Sequence, residues 1–334
     1  MILTNDYKPP FTITNKMLDY VSSIMEKIGK LDNYTNFNKM PVLRRNNRIR
    51  SIHSSLAIEA NSLSLGQVKD VIAGRTVIGP QKEIQEVKNA YNAYEMINKV
   101  DVYSIKDLKK VHGIMTYLTV EESGEFRKGN EGVFDEKGNC IHVCPPPEQV
   151  DGLMKQLFEW IKKNNDEIHS LILSSIFHYE FVFIHPFSDG NGRTVRLWQN
   201  ILLSKWKDIF EYLPIESQIH KYQDDYYKAI NNCNHNGEST EFIEFMLNMI
   251  DKVLDEAIRT SSVPITETGI NINKLLSVME YNVPMTANEI MDKLGIKSKE
   301  TLRSTYLDPA IKEGVVSLTI PDKPTSKNQM YYKV

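Results

Sequence analysis

Cysteine is scarce in this chain. Three occur in 334 residues, Cys140, Cys144 and Cys233, and an odd, low number argues against a disulfide framework and fits a reducing compartment. Cys140 and Cys144 stand four apart around His142, but a zinc site would need further ligands nearby, and these residues read as a hairpin arm. Net charge is nearly absent too: a formal −3 gives no global reason to expect nucleic acid or a membrane surface as partner. No apolar run reaches membrane-spanning length and no charged-then-apolar leader opens the chain, so a cytoplasmic location without membrane contact is expected. Internal repeats and low-complexity tracts are missing. What is present is ordinary for globular domains: 41% hydrophobic residues, in a chain long enough for two or three domains.

Residues 184–196 are not ordinary. They read Ile-His-Pro-Phe-Ser-Asp-Gly-Asn-Gly-Arg-Thr-Val-Arg and gather a titratable base, a carboxylate, two glycines around an amide, and two arginines. An apolar run over 168–184 leads in, and a helical pattern of Val195, Leu197, Trp198, Leu202 and Leu203 leads out. The reading is helix, tight loop, helix. The loop then sits at a helix N-terminus, where free N–H groups and the positive dipole end favour an anion. Gly190 and Gly192 admit φ > 0 and close backbone approach to a ligand. Asn191 adds an amide donor, and Arg193 and Arg196 can fork onto phosphate oxygens. Asp189 is a hard oxygen ligand, suited to a magnesium ion that also touches a nucleotide. His185 accepts a proton near neutral pH. Taken singly, these are a turn, a core histidine and a solvated helix face, and Pro186 and Phe187 read as structural. Gathered in one loop, they describe transfer of a nucleotidyl or phosphoryl group to a nucleophile.

Residues 185–196 resemble the signature of the Fic family, His-x-Phe-x-(Asp/Glu)-Gly-Asn-Gly-Arg-x-x-Arg, with every fixed position matched. The resemblance implies an all-helical core and transfer of AMP from ATP to a hydroxyl of a target protein, self-modification included. It implies His185 as the base for that hydroxyl, Asp189 as the Mg2+ ligand, 190–192 as the anion hole, and Arg193 and Arg196 on the outer phosphates. Upstream, Ser55 and Glu59 lie four apart and so on one helical face. Residues 55–61 resemble the inhibitory helix Ser/Thr-x-x-x-Glu-(Gly/Asn) of Fic proteins that carry it N-terminal to the core. By that resemblance Glu59 pairs with Arg196 and competes with the γ-phosphate of ATP. Ala60 stands where the pattern has glycine or asparagine, and Asn61, next along, is expected to cap the helix.

Elsewhere, Gly124-Glu125-Phe126-Arg127 opens a strand-like part in which Val133-Phe134 and Cys140-Ile141-His142-Val143 flank the turn residues 135–139. This hairpin, from Gly132 to Val143, resembles the Fic flap, which holds a target segment by strand addition. A helix carrying Met17, Val21, Ile24 and Ile28 has two readings, a homodimer surface or a brace on the core. The basic run 44–50 reads as a solvated face. Further helices are expected over 83–100, over 104–118 with His112 as a satisfied histidine, over 150–163, over 218–232 and over 240–257. Tyr226 and Tyr227 have two readings, an adenine surface or core packing. Residues 260–269 read as a linker. Beyond it come a helix over 272–279, a capping box from Thr286 to Glu289, a helical region over 298–313 with Pro309 inside, and strands at 314–320 and 330–334. This part resembles the C-terminal winged helix of many Fic proteins. Nine Lys+Arg against eight Asp+Glu in 264–334 put protein contact or dimerisation ahead of DNA.

The expected fold is mainly α: a Fic-type helical core with a β-hairpin flap, plus a small C-terminal winged-helix domain, divided as 1–103, 104–260 and 261–334. The expected function is a protein adenylyltransferase autoinhibited by Glu59. Two alternatives stand beside it. One is a Fic-type transferase of another phosphate-containing group, or an enzyme that removes AMP. The other is a nucleotide-responsive regulator acting on DNA.

Overall fold

Helical periodicity governs the chain up to residue 261. The structure, a computed structural model, describes residues 7–33, 41–134, 140–261, 267–279, 283–324 and 326–333. Helices α1 (Asn15–Asn33), α2 (Pro41–Ile58), α3 (Leu65–Ile72), α4 (Gln81–Tyr94) and α5 (Ile105–Met115) come first. Strands β1 (Gly132–Phe134) and β2 (Cys140–Val143) interrupt them. Then follow α6 (Pro147–Lys163), α7 (Ser170–Ile184), α8 (Asn191–Trp206), α9 (Ile215–Lys221), α10 (Gln223–Asn236) and α11 (Thr240–Ser261).

α7 is the expected apolar run, and residues 171–181 of it are all buried. A helix apolar all round belongs inside a bundle. Phe177 meets Phe158 of α6 edge-on, ring centroids 5.5 Å apart, and Phe158 also packs on Trp198 of α8 at 6.1 Å. Each such ring stabilises the fold by about 1.5–3 kcal/mol. The polar groups of α7 find partners on α7 itself and on the segments packed around it. Ser175 Oγ donates to the Leu171 carbonyl at 2.8 Å, and His178 bonds Tyr226 Oη at 2.9 Å. Burial pushes the Glu180 carboxyl up to about 7, and the Tyr7 hydroxyl donates to it at 2.6 Å.

α1 is tied along α11. Ser23 Oγ donates to Asp251 at 2.7 Å, and Lys27 pairs with Asp251 and Asp255 at 2.8 Å each. These contacts make it a brace, while Leu18 and Met25 on its outer side stay exposed. The basic run 44–50 is not the solvated face expected. The Arg44 guanidinium lies 3.6 Å over the Tyr212 ring, Arg48 pairs with Glu211 at 2.8 Å, and Arg50 pairs with Glu256 at 2.6 Å. Arg45 donates to the carbonyl of Gly314. The partners lie far along the chain, so no local pattern showed them.

The end of α2 corrects the expected cap. Ala60, not Asn61, takes the left-handed closing conformation (φ 64), and the Asn61 N–H returns to the Leu56 carbonyl at 3.1 Å. The Asn61 side chain instead reaches α4, donating to Glu86 at 2.9 Å. A left-handed turn is the physical reason for glycine or asparagine at position 60. Ala60→Gly is therefore expected to stabilise the protein by about 1 kcal/mol, read as a higher urea midpoint with an unchanged slope.

Other boundaries moved. α4 ends at Tyr94, and the helix expected over 218–232 is divided between α9 and α10 at Tyr222. Residues 124–131 form no strand; there the Arg127 N–H donates to the Pro186 carbonyl at 2.9 Å. The hairpin is antiparallel with Val133 opposite His142, and its register shifts between Val133 and Phe134. The turn expected at 135–139 lies outside the described residues.

Beyond the first bundle come α12 (Glu267–Val278), β3 (Met285–Thr286), α13 (Ala287–Leu294) and α14 (Lys299–Thr301). α14 continues through a π-helical turn, Leu302–Leu307, into α15 (Asp308–Lys312), followed by β4 (Val316–Leu318) and β5 (Met330–Lys333). The wider turn precedes Pro309, which has no N–H to return to the helix. Two strands were expected here; three are present, in the order β3-β5-β4. Thr286 forms the expected capping box with Glu289 and also pairs with Met330. Half of the expected linker 260–269 lies outside the described residues; its first two residues end α11 and its last three begin α12. One hydrophobic core holds side chains from Met17 to Leu254 and so crosses residue 103; a second holds side chains from Ile272 to Val316. Among the described residues no helix is long and apolar enough to cross a membrane.

Candidate active site

Two helix ends meet at the loop. α7 stops at His185, whose backbone turns left-handed (φ 51, ψ 61). A histidine is strained there, the more so because Pro186 disfavours helical backbone before it. Packing holds the strain in place. Phe187 is fully buried and stacks on the His112 ring of α5, centroids 3.6 Å apart and planes within 4°. Asn191 clamps the same residue: the Phe187 N–H donates to its Oδ1 at 3.0 Å, and its Nδ2 donates to the Phe187 carbonyl at 2.7 Å. The Asn191 amide thus ties the loop together through one of its two N–H donors, in addition to the ligand-donor role expected from the sequence.

Gly190 is left-handed (φ 81), and a Cβ on it would stand 2.7 Å from Thr116 Cγ2. It precedes α8 without a capping side chain, which leaves the first N–H groups of α8 for an anion. Gly192 departs from the expectation of positive φ, since it lies within α8. It is glycine because Glu59 rests on it. A Cβ there would overlap Glu59 Oε1 and stand 2.9 Å from Arg196 Nη1.

Glu59 and Ser55 close on Arg196. Nη2 of Arg196 donates to Glu59 Oε1 at 2.7 Å and to the Ser55 carbonyl at 2.9 Å, and Nε donates to Ser55 Oγ at 3.1 Å. Burial alone would push this guanidinium down, but the Glu59 carboxylate leads the groups that outweigh it and hold it above the usual arginine range. Arg193 is buried as well and meets two carboxylates, Asp189 Oδ1 at 2.9 Å and Glu86 Oε1 at 3.4 Å. Glu86, on α4, was not among the expected site residues. Nothing in its sequence neighbourhood marks it.

His112 is the satisfied histidine expected, and it also holds the loop. The Gly124 N–H donates to its Nδ1 at 2.9 Å, so the ring proton sits on Nε2 and is donated to the Asp189 carbonyl at 2.9 Å. Burial pushes it down to about 4. Tyr226 belongs to the core, with its hydroxyl on His178, while Tyr227 is half exposed.

Burial also pushes His185 down to about 4, with the Val182 carbonyl and Glu59 opposing and the charges of Arg127 and His142 adding. Its Nδ1 is buried without a partner in good hydrogen-bond geometry. At pH 7 the ring is neutral and can accept a proton. A reaction that uses His185 as its base is therefore expected to show the acid limb of kcat/KM at about pH 4, with rate lost as pH falls through it. A limb at the ordinary histidine value, about pH 6.5, would contradict this.

Asp189 is half exposed, and its contacts from the Gly190 N–H and Arg193 Nη2 both fall on Oδ1. Oδ2 stays available to a hard cation. No group of three or more His, Cys, Asp or Glu is gathered among the described residues. A magnesium ion would fit by sharing one carboxylate oxygen with phosphate and water oxygens, its usual habit.

Two family models match the chain: the Fic/DOC family over residues 102–203, and the Fic-like C-terminal domain, described as filamentation induced by cAMP protein, over 271–332. Protein adenylyltransferase Fic of Nematostella vectensis is 29% identical over 224 residues, covering 64% of this chain and 49% of that protein. Its namesake in Aedes aegypti is 31% identical over 219 residues, covering 62% and 41%. The chain thus spans about half the length of these relatives or less. The crystal structure of a Fic family protein from Desulfovibrio desulfuricans G20 matches with TM-score 0.74 and 39% identity over 98% of both chains. Residues 134–508 of Fic-1 from C. elegans match in fold, with TM-score 0.59 and 23% identity over 73% of this chain and 74% of that one.

Proposed function

The chain belongs to the Fic family, and from that premise we propose that it is a magnesium-dependent protein adenylyltransferase held off by its own Glu59. The observation that carries this reading is the Glu59 carboxylate, seated on Gly192 and 2.7 Å from Arg196 at the uncapped start of α8. That place suits the outer phosphates of ATP, and a carboxylate in it is a like-charged competitor. In the reaction a target hydroxyl oxygen bonds to the α-phosphorus as the bond to pyrophosphate breaks, and His185 takes the hydroxyl proton. A magnesium ion on Asp189 would neutralise phosphate charge. The helix N–H groups, Arg193 and Arg196 supply fixed charge complementarity, which needs no rearrangement during the step.

The hairpin supports the target side of the reading. His142 bonds the Phe183 carbonyl at 2.8 Å, fixing β2 to α7, while neighbouring Val143 is exposed. A two-stranded hairpin has open edges, and a target segment pairing there would bring a hydroxyl to His185. We read the C-terminal unit as a winged helix for protein contact, and the chain as 1–103, 104–260 and 261–334 in a cytoplasmic setting.

The test is auto-labelling with α-³²P-ATP and magnesium, comparing wild type, Glu59→Gly and Glu59→Gly/His185→Ala. Label on the single variant that disappears in the double variant supports the reading. Label from UTP, GTP or CDP-choline in place of ATP would move the reaction to another donor.

A further inference from the structure

One buried arginine has no part in the steps above. Arg127 is 2% exposed, and its side chain donates to the backbone carbonyls of four residues. Nε donates to the His185 carbonyl at 2.7 Å, and Nη2 to Ile184 at 3.4 Å and Pro145 at 2.5 Å. Nη1 donates to Gly129 at 2.8 Å. Ile184 and His185 end α7, where carbonyls lack helical partners and the dipole favours a cation. Gly129 and Pro145 lie just outside β1 and β2, one on each leg of the hairpin. A guanidinium offers five donors in one rigid plane, so it can join carbonyls from separate segments as no other side chain can.

We infer that Arg127 is a positioning residue that sets the flap and the catalytic base in one fixed relation. The inference rests on the proposed transfer. The hydroxyl is presented by the hairpin and its proton leaves to His185, so the relation between those two parts decides whether the hydroxyl points at the base. Arg127 holds both at once, and it holds His185 in its left-handed turn.

The test uses the full chain in the Glu59→Gly background. Arg127→Gln removes the charge and the fork. Arg127→Lys keeps the charge and reaches fewer carbonyls. Auto-labelling at saturating ATP is expected to fall about 100-fold with glutamine, the scale of a 1 Å misplacement, and less with lysine. ATP affinity by calorimetry stays at the parent value. A second readout does not depend on transfer: NMR titration of His185, with amide exchange across the hairpin. The charged groups facing His185 are Arg127, His142 and, in the wild type, Glu59. Arg127→Gln is expected to move the titration upward and speed exchange in β1 and β2, while Arg127→Lys leaves the titration in place. Unchanged labelling, titration and exchange in Arg127→Gln would overturn the inference. So would ATP affinity and circular dichroism failing in step with labelling in both variants, which marks a merely structural role. A parent that labels nothing while titration and exchange respond as expected would sink the proposed reaction and leave Arg127 as the link.

Discussion

Glu59→Gly is expected to raise auto-labelling by α-³²P-ATP about 5- to 150-fold over wild type, the range of a coupling of about 1–3 kcal/mol. Arg196 is sealed in the core, with its side chain 1% exposed, whereas Glu59 is 33% exposed. The pair is therefore worth less than a fully buried one, because solvent screens its acidic side. Removing the carboxylate leaves the guanidinium its Ser55 contacts but takes away its 2.7 Å ion pair. A buried cation without a counter-ion is costly, and the γ-phosphate of ATP is a replacement that approaches over Gly192. ATP affinity and labelling rate should then rise together. Glu59→Gln separates charge from bulk. It keeps a side chain over Gly192 but removes the negative charge, so intermediate labelling would show that both matter. Equal labelling by wild type and Glu59→Gly would remove Glu59 from regulation.

His185→Ala, in the Glu59→Gly background, is expected to lower transfer about 10³-fold, a middle value for loss of a general base. ATP should bind almost as before, since the proposed phosphate contacts come from α8, Arg193 and Arg196 and not from the imidazole. Alanine inherits the left-handed backbone and its strain, so lost stability could mimic lost chemistry. His185→Asn answers that, because asparagine tolerates this conformation better and cannot act as the base. An asparagine variant that folds and binds ATP but labels poorly assigns the defect to proton transfer. Normal labelling by either variant would mean that another group takes the proton.

The sequence by itself determined the parts whose causes are local. Apolar periodicity over 168–184 and the run of Pro186, Gly190 and Gly192 act within a few residues, so helix, loop and helix could be read directly. The capping box at Thr286 is equally short-range. The inventory of base, carboxylate and arginines was legible for the same reason, since chemistry belongs to side-chain type. Only the tertiary structure decided what each group faces. Glu59 and Glu86 arrive from α2's end and from α4 to meet Arg196 and Arg193. Asn191 turned inward to clamp Phe187, Gly192 owed its identity to Glu59 above it, and the basic run 44–50 found partners on distant segments. Ion pairing, desolvation and steric overlap depend on distance in space and on access to water. Neither quantity is written in sequence separation, so these pairings emerged only when the helices packed.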